Sequence, residues 1–427
     1  MGHLSGVGFL LILVVSTIGC SSPASTPDVT EIVVDGPEVG TDGDVGPDAG
    51  VDAPGPIFPD VELRVASYNA SLYRDAAGKL IEELSDPAHE QARTIAQIVQ
   101  IIRPDIVLIN EFDYDAEGEA ARLFRTNFLE VAQGGAEPLN YPYVYAAPSN
   151  TGVHSGFDLD KNGEVVSTPG TQSYGNDAFG FGIFEGQYGF VIFSMYPLGN
   201  EGLRTFQKFL WKDMPDHMIP DDWYSDEALE VFRLSSKNHV DLPVQVGDHI
   251  LHVLASHPTP PAFDGPERRN VRRNNDEIRF WNDYISPGVS DYIIDDSAGA
   301  GGLDAEAFFV IVGDLNNDPF DGDGYDSIND LLENSRTNDS MPASEGAVEK
   351  AERDGQINTQ HRGDPKHNTA DFSDHSVGNI RVDYALPSSN VEVLDSGVFW
   401  PLADDPHYAL TTVSDHHLVW VDLKLSR

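Results

Sequence analysis

The order of apolar and polar positions in residues 61–427 predicts alternating strands and helices. Residues 61–73 begin with alternating apolar positions and are rich in β-branched and aromatic types, which indicates a first strand. Apolar residues then recur at helical spacing from Ala92 to Ile102, after a start signal at Asp86 and Pro87. Pro104 predicts the end of this helix, and residues 105–110 form a short buried strand. The order strand, helix, strand is typical of an α/β domain.

Further strand patterns follow at residues 188–198, 308–319, 379–388 and 414–423. Residues 239–261 predict a hairpin that turns at Gly247 and Asp248, and residues 266–285 predict a helix. Residues 112–187 contain many Gly, Asn and aromatic residues and predict mainly loops. Strands joined by connections of very different length predict an α/β (α+β) sandwich with a functional edge at its strand ends.

Composition and charge narrow the functions that this domain can have. Hydrophobic residues make up 40% of the 427 residues and aromatic residues 10%, which supports a large packed core. The formal net charge is −44, so the surface field repels polyanions and lacks the basic footprint of most nucleic-acid binders. Such a field attracts divalent cations.

The first 60 residues predict export and a tether. An unbroken apolar run from Val7 to Val15 precedes Cys20, the only cysteine, and this arrangement resembles a bacterial lipoprotein signal with Cys20 as the lipidated residue. An ordinary cleaved signal or a buried N-terminal helix is the alternative, because no Lys or Arg precedes the apolar run. Residues 21–60 contain nine acidic residues and no Lys or Arg, which indicates a disordered acidic linker. We therefore expect a signal at 1–20, a linker at 21–60, a catalytic domain at 61–427 and a membrane contact through the lipid anchor only.

Six predicted strands carry a polar residue at or near one end. These residues are Asn69, Glu111, His257, Asp314 with Asn316, Asp383, and Asp415 with His416. Each one alone has a plain structural explanation, such as a bulge, a turn or a satisfied core histidine. Six together favour a function, because buried charged groups at strand ends need partners.

The residue types in this set suit metal-assisted hydrolysis of a phosphate ester. Hard oxygen ligands for a divalent cation are available from Glu111, with Asn69, Asp314 and Asp415 as helpers. A histidine that transfers a proton needs a carboxylate to orient it, and Asp383 could do this for His416. The set therefore predicts attack of water on phosphorus, assisted by a metal.

The motifs SYN, RPDIVLINEF, ASHP, GDLNNDP, RVDYALPS and SDHH, in this order, resemble the endonuclease/exonuclease/phosphatase superfamily. The resemblance implies a DNase-like four-layer sandwich of two mixed β-sheets flanked by helices, with Mg²⁺, Mn²⁺ or Ca²⁺ as cofactor. It implies that Glu111 and Asn69 are metal ligands assisted by Asp415. It implies that Asp314 and Asn316 position the nucleophile and the phosphate. His416, oriented by Asp383, is implied as base or phosphate ligand, and His257 as a phosphate ligand.

Three basic residues outside this set are candidate phosphate or substrate ligands. Lys237 precedes a predicted strand and is either a surface lysine or a cation that meets phosphate. Arg362 and His367 belong to a local basic segment, residues 361–372, which is either a recognition loop or a solvated insertion. Residues 158–165 open like a calcium loop but lack the glutamate that should close it, so they predict a β-turn with at most a weak calcium site.

The arginines of residues 268–273 form the one dense basic patch, and acidic neighbours indicate a solvated helix face rather than a DNA groove. We therefore expect a monomeric enzyme for small phosphomonoesters or phosphodiesters, and no binding of duplex DNA. A secreted nuclease is one alternative. A non-catalytic, cation-binding surface lipoprotein is the other.

Overall fold

The computed structural model describes residues 59–199 and 201–426. The expected signal peptide, the lipidation site at Cys20 and nearly all of the acidic linker lie outside these residues. Across the two described ranges, no helix has the length and apolar character needed to cross a membrane.

The described residues form strands and helices in mixed order. The strands are β1 (Val61–Asn69), β2 (Ile106–Asn110), β3 (Tyr143–Ala147), β4 (Phe190–Ser194), β5 (Arg204–Thr205), β6 (His239–Val246), β7 (His249–Ser256), β8 (Phe308–Asp314), β9 (Ala370–Asp371), β10 (Asn379–Ile380), β11 (Asp383–Pro387), β12 (Glu392–Val398) and β13 (Val419–Leu425). The α-helices are α1 (Lys79–Leu84), α2 (Glu90–Ile102), α3 (Glu119–Phe124), α4 (Gln172–Asn176), α5 (Asp226–Leu229), α6 (Arg269–Tyr284), α7 (Ser327–Leu332) and α8 (Glu345–Asp354).

Two large mixed sheets form the centre of the domain. The first sheet has the strand order β12-β13-β1-β2-β4-β3, and the second has the order β11-β8-β7-β6-β5. Only β1 with β2, and β7 with β8, pair in parallel among these described strands; the other neighbours are antiparallel. The parallel pairs bring the carboxyl ends of β1 and β2 to one edge of the first sheet, and those of β7 and β8 to one edge of the second.

The core is divided into three apolar layers. The inner faces of the two sheets pack together through residues such as Val65, Ile106, Val253 and Val310. The outer face of the first sheet packs on α2 and α3, and the outer face of the second packs on α6 and α7. Helices therefore cover both outer faces, and the predicted four-layer, DNase-like sandwich is confirmed.

Most predicted elements are present with shifted ends. As predicted, the hairpin of β6 and β7 turns at Gly247 and Asp248, and α2 ends before Pro104; Arg103 caps its end in a left-handed conformation. The helix start at Asp86 and Pro87 is wrong: Asp86 closes a turn through its bond from the amide of Ala88 (2.9 Å), and α2 begins at Glu90. The loop region at 112–187 also contains α3, β3 and α4.

The single strand predicted for residues 379–388 is divided in the structure. Asn379–Ile380 pairs with β9 in a small separate sheet, and Asp383–Pro387 joins the second large sheet. The cause is the hydroxyl of Thr369, which accepts hydrogen bonds from the amides of Val382 and Asp383, both at 3.0 Å. Asp383 therefore begins a strand instead of lying within one.

Candidate active site

The predicted strand-end residues meet at the edge where the two parallel strand pairs end. Asn69 and Glu111 come from the ends of β1 and β2, and His257 and Asp314 from the ends of β7 and β8. Asp383 lies directly opposite Asp314 in the register of β11 and β8. This edge therefore collects residues from both sheets.

Asp314 lies at the centre of the site, close to three of its other polar side chains. Its Oδ2 accepts a hydrogen bond from Asn69 Nδ2 at 3.0 Å, and lies 3.3 Å from His257 Nε2 and 3.7 Å from His416 Nε2. The preceding Gly313 lets β8 approach β7 closely, since a Cβ there would lie 2.1 Å from the carbonyl oxygen of Ser256. Asp314 is 1% exposed, so its charge acts with little screening from solvent.

The charge of Asp314 is balanced by its neighbours. Burial opposes ionisation, but His416 and His257 outweigh it and hold the pKa of the Asp314 carboxyl below its usual range. Burial, together with the charge of Lys237, lowers the pKa of His257 to about 4, so this imidazole is neutral near pH 7.

His416 and Asp383 form a buried pair. Nδ1 of His416 lies 2.9 Å from Oδ2 of Asp383, an arrangement that leaves Nε2 directed toward Asp314. Burial alone would lower the pKa of His416, but the charges of Asp383 and Asp314 raise it well above its usual range. Burial raises the pKa of Asp383 to about 6, although His416 opposes this shift. The predicted orientation of His416 by Asp383 matches this geometry.

Glu111 is compensated by its neighbours less fully than Asp314. Burial raises the pKa of Glu111 to about 7; the charge of His416 opposes the shift, and that of Asp314 adds to it. The residue adopts a left-handed backbone conformation (φ 56°), which is uncommon for a non-glycine residue and recurs at functional sites.

The oxygen-rich side of the site suits a hard divalent cation. Glu111, the amide oxygen of Asn69 and the exposed Asp415 supply carboxylate and carbonyl oxygens, the ligand types that such ions prefer. The ligand atoms of Asp314, Asp383 and His416 lie within 4.8 Å of one another. The donor set therefore fits a divalent metal.

Lys237 is a buried residue of this region, and the surface-lysine alternative is wrong. It is 6% exposed, and its Nζ lies 3.4 Å from the carbonyl oxygen of Pro258, directly after His257. Burial lowers its pKa, while the charges of Glu277 and Asp314 oppose that shift. No sequence pattern signals this burial.

Asn316 is held beside the same carbonyl. Its side-chain Nδ2 donates to the carbonyl oxygen of Pro258 at 3.1 Å, and its backbone amide donates to Oδ1 of Asp314 at 2.9 Å. Asn316 also adopts a left-handed conformation (φ 54°). The Pro258 carbonyl thus links Asn316 with Lys237.

The two candidate ligands of the basic segment, residues 361–372, have different surroundings. Arg362 is exposed, and its guanidinium lies 3.8 Å from the carboxylate of Asp321. His367 bonds through Nδ1 to the carbonyl oxygen of Pro342 at 2.8 Å. Within the described ranges, neither side chain contacts Asp314 or its neighbours Asn69, His257 and His416. Their predicted role in substrate binding stays a prediction.

The predicted solvated face of α6 holds for only part of the basic patch, since Arg268 is exposed and Arg269 and Arg272 are half-buried. Arg273 is 4% exposed and donates to the carbonyl oxygens of Leu234 and Arg233, while Asp276 and Glu277 are completely buried. The spacing of Arg273 and Glu277 places both on one helix face. Polar residues on the inner face of an amphipathic helix were the signal that could have shown this.

The loop at residues 158–165 satisfies its carboxylates internally. Asp158 accepts hydrogen bonds from the amides of Asn162 and Gly163, and its carboxylate lies near those of Asp160 and Asp177, within 4.8 Å. The predicted turn at Asn162 and Gly163 is a bend without flanking strands. Acidic loops of this kind are common without an ion.

Comparisons with known proteins agree on the family. The sequence profile of the Endonuclease/Exonuclease/phosphatase family matches residues 66–416. No curated protein sequence matches the chain.

Several solved structures are similar to the chain at low identity. One is an endonuclease/exonuclease/phosphatase from Beutenbergia cavernae (17% identity, TM-score 0.46, covering 86% of this chain and 72% of the other). Others are a family protein from Leptotrichia buccalis (12%, 0.43, 84% and 99%) and a mannosyl-6-phosphatase from Bacteroides thetaiotaomicron (12%, 0.41, 84% and 99%). Since the profile spans most of the chain, this protein belongs to the endonuclease/exonuclease/phosphatase family, whose members act as hydrolytic phosphoesterases or nucleases.

Proposed function

We propose that this protein is a divalent-metal-dependent phosphoesterase that hydrolyses phosphomonoester or phosphodiester bonds. The observation that carries the proposal is the position of Asp314, whose one carboxylate oxygen contacts Asn69 at 3.0 Å, His257 at 3.3 Å and His416 at 3.7 Å. A single carboxylate thereby joins the oxygen-rich half of the site to its imidazoles.

The residues have complementary roles in the attack of water on phosphorus. Asp314, with Asn316 beside it, orients the water and accepts its proton as the new P–O bond forms. The charged His416, held by Asp383, donates a hydrogen bond from Nε2 to a phosphoryl oxygen. Lys237 and His257 bind the phosphate from the other side. The ester P–O bond then breaks, and the departing oxygen takes up a proton from solvent water and leaves as the alcohol.

Glu111, Asn69 and Asp415 would hold the metal. Mg²⁺, or Mn²⁺ or Ca²⁺ in its place, supplies a Lewis acid that offsets the charge developing on phosphoryl oxygens. Carboxylate and carbonyl oxygens are the ligands that these ions prefer, and the pKa of the Glu111 carboxyl, raised by burial to about 7, shows that its neighbours compensate its charge only in part.

Small phosphate esters are the proposed substrates rather than duplex DNA. The formal net charge of −44 disfavours binding of a polyanion. Within the basic patch of α6, Arg273 is turned inward to backbone carbonyls and cannot contact DNA. We further propose export as a monomeric lipoprotein anchored at Cys20, with residues 61–427 as the catalytic domain.

The test is hydrolysis of bis-p-nitrophenyl phosphate and p-nitrophenyl phosphate by purified residues 58–427. Mg²⁺, Mn²⁺ or Ca²⁺ is added in turn, and His416→Ala and Glu111→Gln serve as inactive controls. Metal-dependent turnover that both substitutions abolish supports the proposal, and the preferred substrate separates diesterase from monoesterase. Absence of turnover with every metal would favour the non-catalytic cation binder, and efficient cleavage of plasmid DNA at physiological salt would favour the nuclease.

A further inference from the structure

Helix α6 carries two consecutive carboxylates, Asp276 and Glu277, that are both completely buried. Each accepts two N–H hydrogen bonds at 2.6 Å, yet their partners differ. Asp276 accepts from the indole of Trp211 and the amide of Met218. A buried carboxylate is costly without partners, so both are structurally satisfied. Only Glu277 is connected to the active-site edge.

Glu277 joins the two segments that carry the basic residues of the site. Its Oε1 accepts from the amide of Ser236, and its Oε2 accepts from the amide of Thr259, each at 2.6 Å. Ser236 directly precedes Lys237, and Thr259 follows His257 by two residues. The two oxygens of one carboxylate therefore fix the separation of these segments.

The same segments are braced from other directions. The carbonyl oxygen of Lys237 accepts from the amide of Asn150 at 2.8 Å, and Asn274 donates to the carbonyl oxygen of Thr259 at 2.9 Å. Gly180 packs directly on this region, since a Cβ there would lie 1.8 Å from the carbonyl oxygen of Ser236. Lys237 is thus held within a fixed frame in which Glu277 is the shared contact.

Glu277 is also the main counter-charge of Lys237. Burial disfavours the charged ammonium, and the charge of Glu277 is the largest of those that oppose this effect. Asp314 and Glu111 act in the same direction, while Arg273 acts against them. Glu277 therefore favours the charged form of the Lys237 ammonium, against the effect of burial.

We propose that Glu277 is a positioning residue that sets Lys237 and His257 in the geometry that binds the phosphate group of the substrate. The proposal rests on the proposed function for the phosphate-binding roles of these two residues. It adds a residue that acts through two backbone amides and makes no contact with the substrate. A purely structural role would affect folding stability without a specific effect on phosphate affinity.

The test is a double-mutant cycle measured by calorimetric binding of inorganic phosphate to the full chain in the presence of Mg²⁺. Glu277→Gln keeps the size of the side chain but leaves one amide facing an NH₂ group. It is expected to weaken phosphate binding about ten-fold. In the Lys237→Ala background the same substitution is expected to weaken binding by less than about two-fold, because the residue it positions is gone.

Asp276→Asn is the matched control, because it removes the same charge from the neighbouring buried position. It is expected to leave phosphate affinity within about two-fold of the wild type, whatever its effect on Tm. Equal weakening by Asp276→Asn and Glu277→Gln would overturn the proposal. So would an unchanged effect of Glu277→Gln in the Lys237→Ala background, or a wild type that does not bind phosphate.

Glu277→Asp is the second variant, used if Glu277→Gln does not fold. It keeps the charge but is one methylene too short to reach both amides, so an intermediate loss of phosphate affinity is expected. Wild-type affinity in Glu277→Asp would overturn the proposal. If the cycle behaves as expected while no phosphate ester is hydrolysed, the proposed function fails and the positioning role of Glu277 stands.

Discussion

Each sheet contributes a carboxylate to the same edge, and the pKa values of the two carboxyl groups are shifted in opposite directions. Asp314, from the second sheet, is surrounded by imidazoles, and its pKa is lowered despite burial. Glu111, from the first sheet, has little compensation, and burial raises its pKa to about 7. Burial is therefore common to both, and the neighbours decide the charge. The difference indicates that Asp314 is compensated mainly by His416, which lies just before β13 of the first sheet, whereas Glu111 keeps less compensation and is the carboxylate at which we propose that the metal binds.

Asp314→Asn should have the largest effect, because it removes the carboxylate that joins the two halves. The amide cannot accept the proton of water, and it removes the negative charge that lies 3.3 Å from His257 Nε2 and 3.7 Å from His416 Nε2. We expect phosphodiesterase kcat to fall about 10³-fold. Asp321→Asn, which changes a carboxylate bonded to the amides of Arg362 and Gly363, is the control and should stay within about three-fold of the wild type. More than a tenth of wild-type activity in Asp314→Asn would contradict this role.

Asp383→Asn should have the next largest effect, since it removes the carboxylate that keeps His416 charged and oriented at 2.9 Å. We expect kcat to fall about 10²-fold. The pKa of His416 should fall as well, because the charge of Asp383 is a main cause of its raised value. An NMR titration of the imidazole measures this shift. An unchanged His416 pKa would show that the pair does not carry the charge.

Glu111→Gln should stabilise the metal-free protein at alkaline pH. The pKa of Glu111 is raised from 4.5 to about 7, so the folded state holds this proton more tightly than the unfolded state. The stability it contributes is present below pH 4.5 and is lost as pH rises to about 7. In EDTA at pH 8, the substitution should raise the free energy of unfolding by up to about 3 kcal/mol.

Urea unfolding of both proteins across pH 4 to 8 measures this difference. Added Mg²⁺ should reverse the ranking, because only the wild type gains free energy from binding the ion. A Glu111→Gln variant that is less stable than the wild type in EDTA at pH 8 would contradict the incomplete compensation of the Glu111 charge.

Arg362→Ala and His367→Ala should have the smallest effects, because these side chains contact Asp321 and Pro342 rather than the edge. We expect KM for bis-p-nitrophenyl phosphate to change less than about three-fold in each. Steady-state kinetics on the two variants decide this. A tenfold or larger rise in KM would restore the basic segment as a substrate-recognition loop.

The sequence was sufficient for the sandwich and for the residues at its edge. Alternation and helical spacing located β1, α2, β2 and the hairpin of β6 and β7, because these elements bury one regular face. Glu111 and Asp314 were predictable because both follow short buried strands, whose ends must meet where parallel pairs end.

The positions that the sequence did not predict depend on contacts between distant segments. The segment that carries the buried Lys237 is held by Glu277, some forty residues later in the chain, which accepts a hydrogen bond from the amide of Ser236. Asp383 begins its strand because the hydroxyl of Thr369 takes two amides out of the ladder. Neither contact leaves a periodic signal in the sequence. Helix α6 has the many charged residues of a solvated helix, although its polar inner face is buried.

The most direct test of the account is the location of Mn²⁺ by anomalous X-ray scattering from crystals of residues 58–427. We expect a peak within coordination distance of the Glu111 carboxylate and the Asn69 amide oxygen, which disappears in Glu111→Gln and remains in Asp383→Asn. A peak confined to the Asp158, Asp160 and Asp177 loop would contradict it, as would a peak that persists unchanged in Glu111→Gln.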